Sequence, residues 1–277
     1  MKRPAAVPSD KSPVERLIGL CMWAPGVTWL SSMMSTMMLV QRFVPSDRIE
    51  WLTRTYTRGQ VLLTGSRLHY HVHPAVDPKQ VYMFAQNHVN MLDHCTCYNG
   101  TPHFKQGIEL AAHFDVPFYG WFMRQRGTIP VYRDAKDGVR KLIEGVKAET
   151  ERGHSILVFP EGTRTRSGRV GKFNSGVFRV AHSLGLPIVP TAVTGMFEVM
   201  RTGEPFINPG LDVNVYFDEP IPTRGVPESE LPSIIERTQA AVTKRVDAYY
   251  AARGGYPELI PTEDAPEPEK PQTSRAS

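Results

Sequence analysis

The feature that most constrains the fold is a regular alternation of apolar strand-like runs and helical segments through the middle of the chain. Strand-like runs occupy residues 128–132, 156–159 and 188–193, and helical patterns that begin at Asp137 and Asn174 separate them. Strands that alternate with helices over short connections are typical of a largely parallel sheet covered by helices. We therefore expect an α/β fold.

The flanking sequence adds further elements of both kinds. The residue patterns predict additional strands at 60–73, 81–85, 104–113 and 212–217, and additional helices at 116–126 and 229–250. In open parallel sheets, functional groups collect beyond the carboxyl ends of the strands. Three polar residues each lie just past a predicted strand, and we expect them to lie at that edge: His88, Arg133 and Glu161.

The N-terminal region predicts a membrane anchor. Residues 1–16 are polar, and Leu17–Val40 then runs for 24 residues without a charged side chain, which is a length typical of membrane segments. The Ala-Pro-Gly sequence at 24–26 divides this run, and arginines flank it on both sides. We predict a broken helical hairpin inserted in the cytoplasmic leaflet. A straight span, a cleaved secretory signal and a buried core helix are the alternatives.

Charge and composition limit the partners. The net charge of the 277 residues is +4, although residues 255–277 contribute five acidic and two basic side chains, so the remainder is clearly basic. A modest positive excess suits phosphorylated substrates and anionic lipid surfaces. We expect no nucleic-acid partner, because the chain has no long basic run and no recognisable nucleic-acid motif. The predicted organisation is a polar N-terminus at 1–16, an anchor at 17–44, one domain at 45–254 and a disordered tail at 255–277.

Metal binding and disulfide chemistry receive little support. Three cysteines are too few for a disulfide framework or a zinc quartet and indicate a reducing compartment. The alternating segment at 60–73 places His69, His71 and His73 on one strand face, which raises the possibility of a metal site. No carboxylate or cysteine partner is evident nearby, so we predict surface histidines and no metal.

A histidine and a carboxylate lie five positions apart just after the strand-like run at 81–85. On a continuous helix His88 and Asp93 would point about 140° apart, so they do not share a helical face. If the strand ends near His88 and a helix begins near Asn90, however, the Asp93 carboxylate can reach back to the imidazole. This arrangement predicts a general base with its orienting carboxylate. The alternative is an ordinary turn in which Asn90 caps the helix.

Four sequence blocks, taken in order, carry a family resemblance. They are Asn-His-x4-Asp at 87–93, Gly-x-Ile-Pro-Val-x-Arg at 127–133, Phe-Pro-Glu-Gly-Thr-Arg at 159–164 and Pro-Ile-Val-Pro at 187–190. The chain resembles the glycerolipid acyltransferase family, which includes the lysophosphatidic acid acyltransferases. One departure is Asn90, which stands where these enzymes most often carry Ser.

The resemblance implies a glycerophosphate acyltransferase-like fold and an activity. It implies transfer of a fatty acyl group from acyl-CoA or acyl-ACP (acyl carrier protein) to the sn-2 hydroxyl of lysophosphatidic acid, giving phosphatidic acid, without a further cofactor. The expected location is the cytoplasmic face of the inner membrane. Transfer to another lysophospholipid or to a lyso-ornithine lipid, a non-catalytic membrane adaptor of the same fold and a metal-dependent hydrolase are the alternatives.

The remaining candidate site residues have distinct expected roles. Arg133 and Arg164 are candidates for the acceptor phosphate, because guanidinium groups bind phosphate bidentately, and the resemblance implies the same. Glu161 would bond the glycerol portion or hold an arginine, Gly162 would allow a tight turn, and Thr163 would offer a hydroxyl. The chain lacks a Gly-x-Ser-x-Gly elbow and a P-loop, so neither a covalent nucleophile nor nucleotide hydrolysis is expected. Further basic residues could contact the donor phosphates: Arg166, Arg169, Lys172 and Arg179.

Overall fold

The computed structural model describes residues 12–132 and 137–257. Within them, the strands form a single sheet in the order β1-β7-β6-β2-β5-β3-β4. All neighbouring strands are parallel except β6 and β7, which confirms the predicted α/β class with a largely parallel sheet. The strands are β1 (Arg67–Val72), β2 (Met83–Gln86), β3 (Lys105–Leu110), β4 (Ile129–Val131), β5 (Ser155–Val158), β6 (Ile188–Thr194) and β7 (Asp212–Phe217).

Helices cover both faces of this sheet. They are α1 (Pro13–Cys21), α2 (Trp23–Val40), α3 (Glu50–Leu62), α4 (Asp93–Tyr98), α5 (Tyr119–Arg126), α6 (Gly138–Glu151), α7 (Ser175–Ser183), α8 (Met196–Val199) and α9 (Leu231–Ala251). One hydrophobic core joins the sheet to α2, α3, α4 and α5, and a second joins the opposite face to α6, α7 and α9. Alternation along β5 explains the two layers, since Leu157 enters the first core whereas Ile156 and Val158 enter the second.

The central strands are buried on both faces. Every residue of β2, β5 and β6 is buried, as expected for parallel strands covered by helices on each side. Their carboxyl ends therefore open into loops at one edge, and the loop after β2 and the loop after β5 both begin there.

One local prediction needs correction. The alternating segment at 60–73 was expected to be strand throughout, but α3 continues to Leu62 and β1 begins only at Arg67. Gln60 and Val61 are buried in α3, which packs against α2. Tertiary packing of the helix therefore overrides the local strand pattern.

The N-terminal helices also differ from the predicted hairpin. The two helices meet at Met22, whose φ of −66° and ψ of −17° remain helical, so the chain does not reverse there. Pro25 lies in the first turn of α2, where its missing N–H is tolerated. The antiparallel partner of α2 is α3, since the Trp29 indole donates to the Tyr56 carbonyl (3.0 Å) and the Gln60 amide to the Gly26 carbonyl (3.4 Å).

The N-terminal segment is long and apolar enough to cross a membrane. Taken together, Pro13–Val40 comprises 28 residues, and only 11% of its most apolar 18-residue stretch is buried. Length and composition of this kind are shared by membrane spans, signal sequences and some core helices. The predicted polar N-terminus, up to residue 11, and most of the predicted tail lie outside the described residues.

Candidate active site

The loop that connects β2 to α4 brings His88 and Asp93 together. Asp93 is the first residue of α4, and its Oδ2 lies 2.7 Å from Nδ1 of His88. The Asp93 side chain is 1% exposed, whereas that of His88 is 22% exposed. The strand-to-helix junction therefore produces the contact that a continuous helix would not allow.

A single oxygen of Asp93 accepts three hydrogen bonds. Besides the histidine contact, Oδ2 accepts the backbone N–H groups of Val89 (2.6 Å) and Asn90 (3.0 Å). These bonds fix the carboxylate, and the carboxylate favours the tautomer in which His88 carries its proton on Nδ1. Nε2 is then the nitrogen that can accept a proton from a substrate hydroxyl.

Two asparagines anchor the same loop to the end of β6. The Asn87 amide donates to the Val193 carbonyl at 3.0 Å, and its oxygen accepts the Val193 N–H at 2.8 Å. The Asn90 amide donates to the carbonyl of Met196 at 2.7 Å. The departure at Asn90 thus has a structural basis, because this longer side chain spans from the loop to α8. The sequence alone did not identify either anchor.

The loop that follows β5 lies against His88 from the other side. The Phe159 ring stacks on the imidazole with a centroid separation of 4.2 Å and an interplanar angle of 16°. The N–H of Thr165 donates to the His88 carbonyl at 2.8 Å. His88 therefore lies between two loops at the carboxyl edge of the sheet, where the strand pattern placed it.

Glu161 ties these segments together through backbone groups. One carboxylate oxygen accepts the His88 N–H at 2.9 Å, and the other accepts the Gly171 N–H at 2.8 Å. Burial raises the pKa of Glu161, while the two N–H groups partly oppose this rise by favouring the charged form. In the structure this residue positions the histidine backbone, and its expected contact with the glycerol portion remains a prediction.

The other predicted binding residues follow Glu161 in an exposed turn. Gly162 has a φ of +70°, in the left-handed region that glycine adopts without strain, and its N–H donates to the Phe159 carbonyl. Thr163 and Arg164 are exposed beside it. The structure therefore brings Arg164 into the loop that contacts His88. Arg133 lies outside the described residues, so its predicted position stays a prediction.

The histidines of β1 are engaged by the neighbouring strand. His69 lies 3.0 Å from a carboxylate oxygen of Asp212, and His71 lies 3.0 Å from the side-chain oxygen of Asn214. Throughout residues 12–132 and 137–257, no group of three or more histidine, cysteine, aspartate or glutamate side chains is arranged to hold a metal ion.

The cysteines of α4 are poor nucleophiles. Cys95 and Cys97 are fully buried, and burial raises the pKa of both thiols, that of Cys97 to about 12. A thiol with such a pKa carries almost no thiolate near neutral pH. The two thiols are therefore unsuited to forming a covalent intermediate.

Lys105 is a buried cation behind the site that the sequence did not reveal. Its ammonium group donates to the backbone carbonyls of Tyr98 (3.1 Å), the last residue of α4, and of Thr101 (3.4 Å) and His103 (3.3 Å) in the segment that follows. Burial lowers its pKa to about 8. The three bonds fix the carboxyl end of the helix whose first residue is Asp93, and no motif marks the lysine for this role.

Comparison with known proteins gives a consistent family signal. The family model described as Acyltransferase matches residues 67–194. A chloroplastic 1-acyl-sn-glycerol-3-phosphate acyltransferase of Brassica napus is 35% identical over 153 residues, which cover 53% of this chain and 42% of that protein. A Saccharomyces cerevisiae protein with the same activity name is 28% identical over 170 residues, covering 58% of this chain and 54% of that protein. The chain thus spans about half or less of these relatives.

A solved structure extends the similarity to the fold. The crystal structure of the 1-acyl-sn-glycerophosphate acyltransferase of Thermotoga maritima aligns with a TM-score of 0.67 and 20% sequence identity, covering 84% of this chain and 97% of that one. The sequence match and the site geometry coincide, since His88, Asp93, Glu161 and Arg164 all lie inside the matched segment. Residues 67–194 therefore match the acyltransferase family, within a sheet that β7 completes.

Proposed function

We propose that the protein transfers a fatty acyl group from acyl-CoA or acyl-ACP to the free sn-2 hydroxyl of lysophosphatidic acid, giving phosphatidic acid. The observation that carries this proposal is the 2.7 Å contact between Nδ1 of His88 and buried Asp93, which leaves Nε2 for a hydroxyl. The names of the relatives, 1-acyl-sn-glycerol-3-phosphate acyltransferases, supply the acceptor.

The proposed reaction is a direct displacement in a ternary complex. Nε2 of His88 takes the proton of the acceptor hydroxyl as its oxygen forms a bond to the thioester carbonyl carbon. The tetrahedral intermediate then collapses, the carbon–sulfur bond breaks, and the imidazolium returns the proton to the departing thiolate. Asp93 stabilises the imidazolium between these steps. The products are the new ester and the free thiol, and no covalent enzyme intermediate is formed.

Arginine side chains form the proposed binding site for the acceptor phosphate. Arg164 is exposed one residue before Thr165, whose N–H bonds the His88 carbonyl. A guanidinium group in this loop would hold a phosphate bidentately while the acceptor hydroxyl reaches the imidazole. We propose that Arg133 and Thr163 complete this phosphate-binding site, and that Glu161 positions the loops that carry His88 and Gly171. Further basic side chains of the same loop, Arg166, Arg169 and Lys172, are candidates for the donor phosphates.

We propose that the segment Pro13–Val40 attaches the protein to the cytoplasmic face of the inner membrane without crossing it. Its 28 residues are long enough to span, at about 42 Å. The segment is, however, attached to the folded domain at several points. The Trp23 indole donates to the Pro205 carbonyl, the Trp29 indole donates to the Tyr56 carbonyl, and Met37 is fully buried. A helix held in this way lies along the domain, so its exposed side fits a single leaflet.

A labelling experiment tests this placement. In a Cys21→Ser background, the Ser9→Cys variant should react with a membrane-impermeant maleimide from the side that carries the acyltransferase-like domain. Labelling only from the opposite side would establish a true span.

The activity is tested with purified protein in detergent. A panel of lysolipids, including lysophosphatidic acid and lyso-ornithine lipid, is combined with acyl-CoA and acyl-ACP donors, and products are identified by mass spectrometry. We expect phosphatidic acid as the main product and a fall of roughly 10²-fold to 10⁴-fold in turnover for His88→Ala. Preference for another lysolipid would reassign the acceptor. Equal turnover by His88→Ala and the wild type would refute the mechanism, and an inactive wild type with every pair would favour the adaptor.

A further inference from the structure

A strained turn precedes α5. Phe118 has a φ of +65° and a ψ of −56°, and it is the only non-glycine residue with a positive φ among those the structure describes. The N–H of Tyr119 donates to the Pro117 carbonyl at 2.7 Å, which closes a three-residue turn around Phe118. Turns of this hand are rare and strained for residues with a side chain, and such strain is typical of functional sites.

Close packing holds this turn in place. A Cβ atom at Gly120 would lie 1.9 Å from the Phe114 carbonyl oxygen, so α5 packs directly against the preceding 3₁₀ helix, Ala111–Asp115. Phe122 and Met123 on the inner side of α5 are buried in the core. The helix is therefore anchored on one side, while the strained turn directs Phe118 outward.

The outward side of this region is apolar and aromatic. Val116, Phe118, Tyr119 and Trp121 are each between 40% and 48% exposed, and we refer to these four residues as the aromatic lip. A protein surface does not ordinarily leave adjacent large apolar side chains in water, and such patches mark interaction sites. Phe118 is only half-buried, so its burial in the protein is incomplete despite the strained backbone.

The location of the aromatic lip indicates what covers it. Alpha-helix α5 follows the carboxyl end of β3, at the same edge of the sheet as His88, and it packs against the apolar helix α2. Arg124, which is 56% exposed on α5, lies beside the lip and forms a long, solvent-exposed ion pair with Asp115 at 3.7 Å. Aromatic and apolar side chains accompanied by arginine are typical of helices that rest at the boundary between lipid headgroups and acyl chains.

We infer that the aromatic lip inserts into the lipid surface beside the active site, as a contact distinct from the N-terminal helix. This inference rests on the proposed membrane function and extends it. The occupant is one leaflet containing anionic lipid, with the rings among the upper acyl chains and Arg124 at the headgroups. The lip would thereby bring the carboxyl edge of the sheet to the depth at which the acceptor hydroxyl is exposed.

The decisive variant is Phe118→Gly, since it separates strain from surface contact. Glycine adopts a positive φ freely, so the unfolding temperature should be equal to or higher than that of the wild type. Partition into large unilamellar vesicles of phosphatidylcholine and phosphatidylglycerol, measured by sedimentation, should nevertheless fall by about tenfold, because the variant has no ring to bury in the lipid. Trp121→Ser should weaken partition similarly. Val72→Ser is the matched control, because Val72 is 43% exposed on β1 at the far end of the sheet.

The outcomes separate the two proposals. Partition of Phe118→Gly and Trp121→Ser equal to that of the wild type would overturn the aromatic lip and leave acyl transfer untouched, as would an equal fall for Val72→Ser. A wild-type protein that does not bind these vesicles would overturn both the lip and the proposed membrane attachment. The assay requires no turnover, so a failure of the proposed reaction does not affect its result.

Discussion

Replacing Asp93 by Asn should separate the charge of this residue from its shape. In the wild type, Oδ2 accepts bonds from Nδ1 of His88 and from the N–H groups of Val89 and Asn90. The amide oxygen of Asn can occupy this position and keep all three bonds. The amide nitrogen must then occupy the Oδ1 position, which is buried and has no hydrogen-bond partner in the described part of the chain.

The size of the kinetic effect follows from the lost charge. The imidazolium and carboxylate charges would lie about 4 Å apart, and at an effective dielectric constant of about 20 their attraction is roughly 4 kcal/mol. That attraction exists only when His88 is protonated, as in the intermediate. We therefore expect kcat of Asp93→Asn to fall by about 10³-fold while the KM of the acceptor stays unchanged. The buried amide N–H groups without acceptors should also cost about 1–3 kcal/mol of unfolding free energy.

Steady-state kinetics with varied acceptor, together with thermal unfolding, provide the measurement. The control is the double variant with His88→Ala, which should be no slower than His88→Ala by itself, because the two residues act as one unit. Two results would refute the reasoning. One is a rise in acceptor KM at unchanged kcat, which would make Asp93 a binding residue. The other is a further tenfold loss in the double variant, which would mean that Asp93 acts independently of His88.

Four further substitutions test the support around the site. Glu161→Gln should lose one of its two backbone bonds and about 1–3 kcal/mol of stability. Because burial raises the pKa of Glu161, the wild type should also gain stability relative to this variant as the pH falls through that raised value, which chemical denaturation at several pH values would detect. Gly171→Ala should lower kcat, because the new Cβ would lie 2.8 Å from the Glu161 carboxylate and disturb the group that holds the His88 backbone. An unchanged kcat would contradict the positioning role of Glu161. Asn90→Ser should keep activity but lose about 1 kcal/mol through the bond to Met196, as measured by urea unfolding. Lys105→Met should lower the unfolding temperature, because it removes three bonds to backbone carbonyls and leaves that of His103 without its donor, while Arg54 still donates to those of Tyr98 and Thr101; an unchanged value would contradict a stabilising role for the lysine.

Arg164→Ala should raise the KM of a phosphorylated acceptor more than that of the acyl donor. The expected loss is about 1.5–3 kcal/mol of acceptor binding, the usual worth of a charge-assisted contact. An acceptor without a phosphate should be affected least in the same kinetic assay. A rise in KM confined to the coenzyme A donor would mean that Arg164 binds the donor and not the acceptor.

The sequence alone determined the features that depend on short stretches of chain. The period of apolar residues predicted the strands β2 and β5 and the helices α6, α7 and α9 to within a few residues, because these elements bury one continuous side or run. The order of the four sequence blocks indicated the family resemblance, and the position of His88 and Asp93 at a predicted strand-to-helix junction indicated that they could meet. Each of these inferences uses only neighbouring residues and the general geometry of parallel sheets.

Only the tertiary structure decided which distant groups share a bond. Glu161 lies 73 positions from the His88 N–H that it accepts, and Asn87 pairs with a strand 106 positions away. Packing of α3 on α2 made the strand-like segment at Gln60 helical. Because α3 is the antiparallel partner of α2, the chain reverses after Val40 and not within the apolar run. Sequence periodicity records which face a residue buries, but the identity of its partner depends on how the elements assemble.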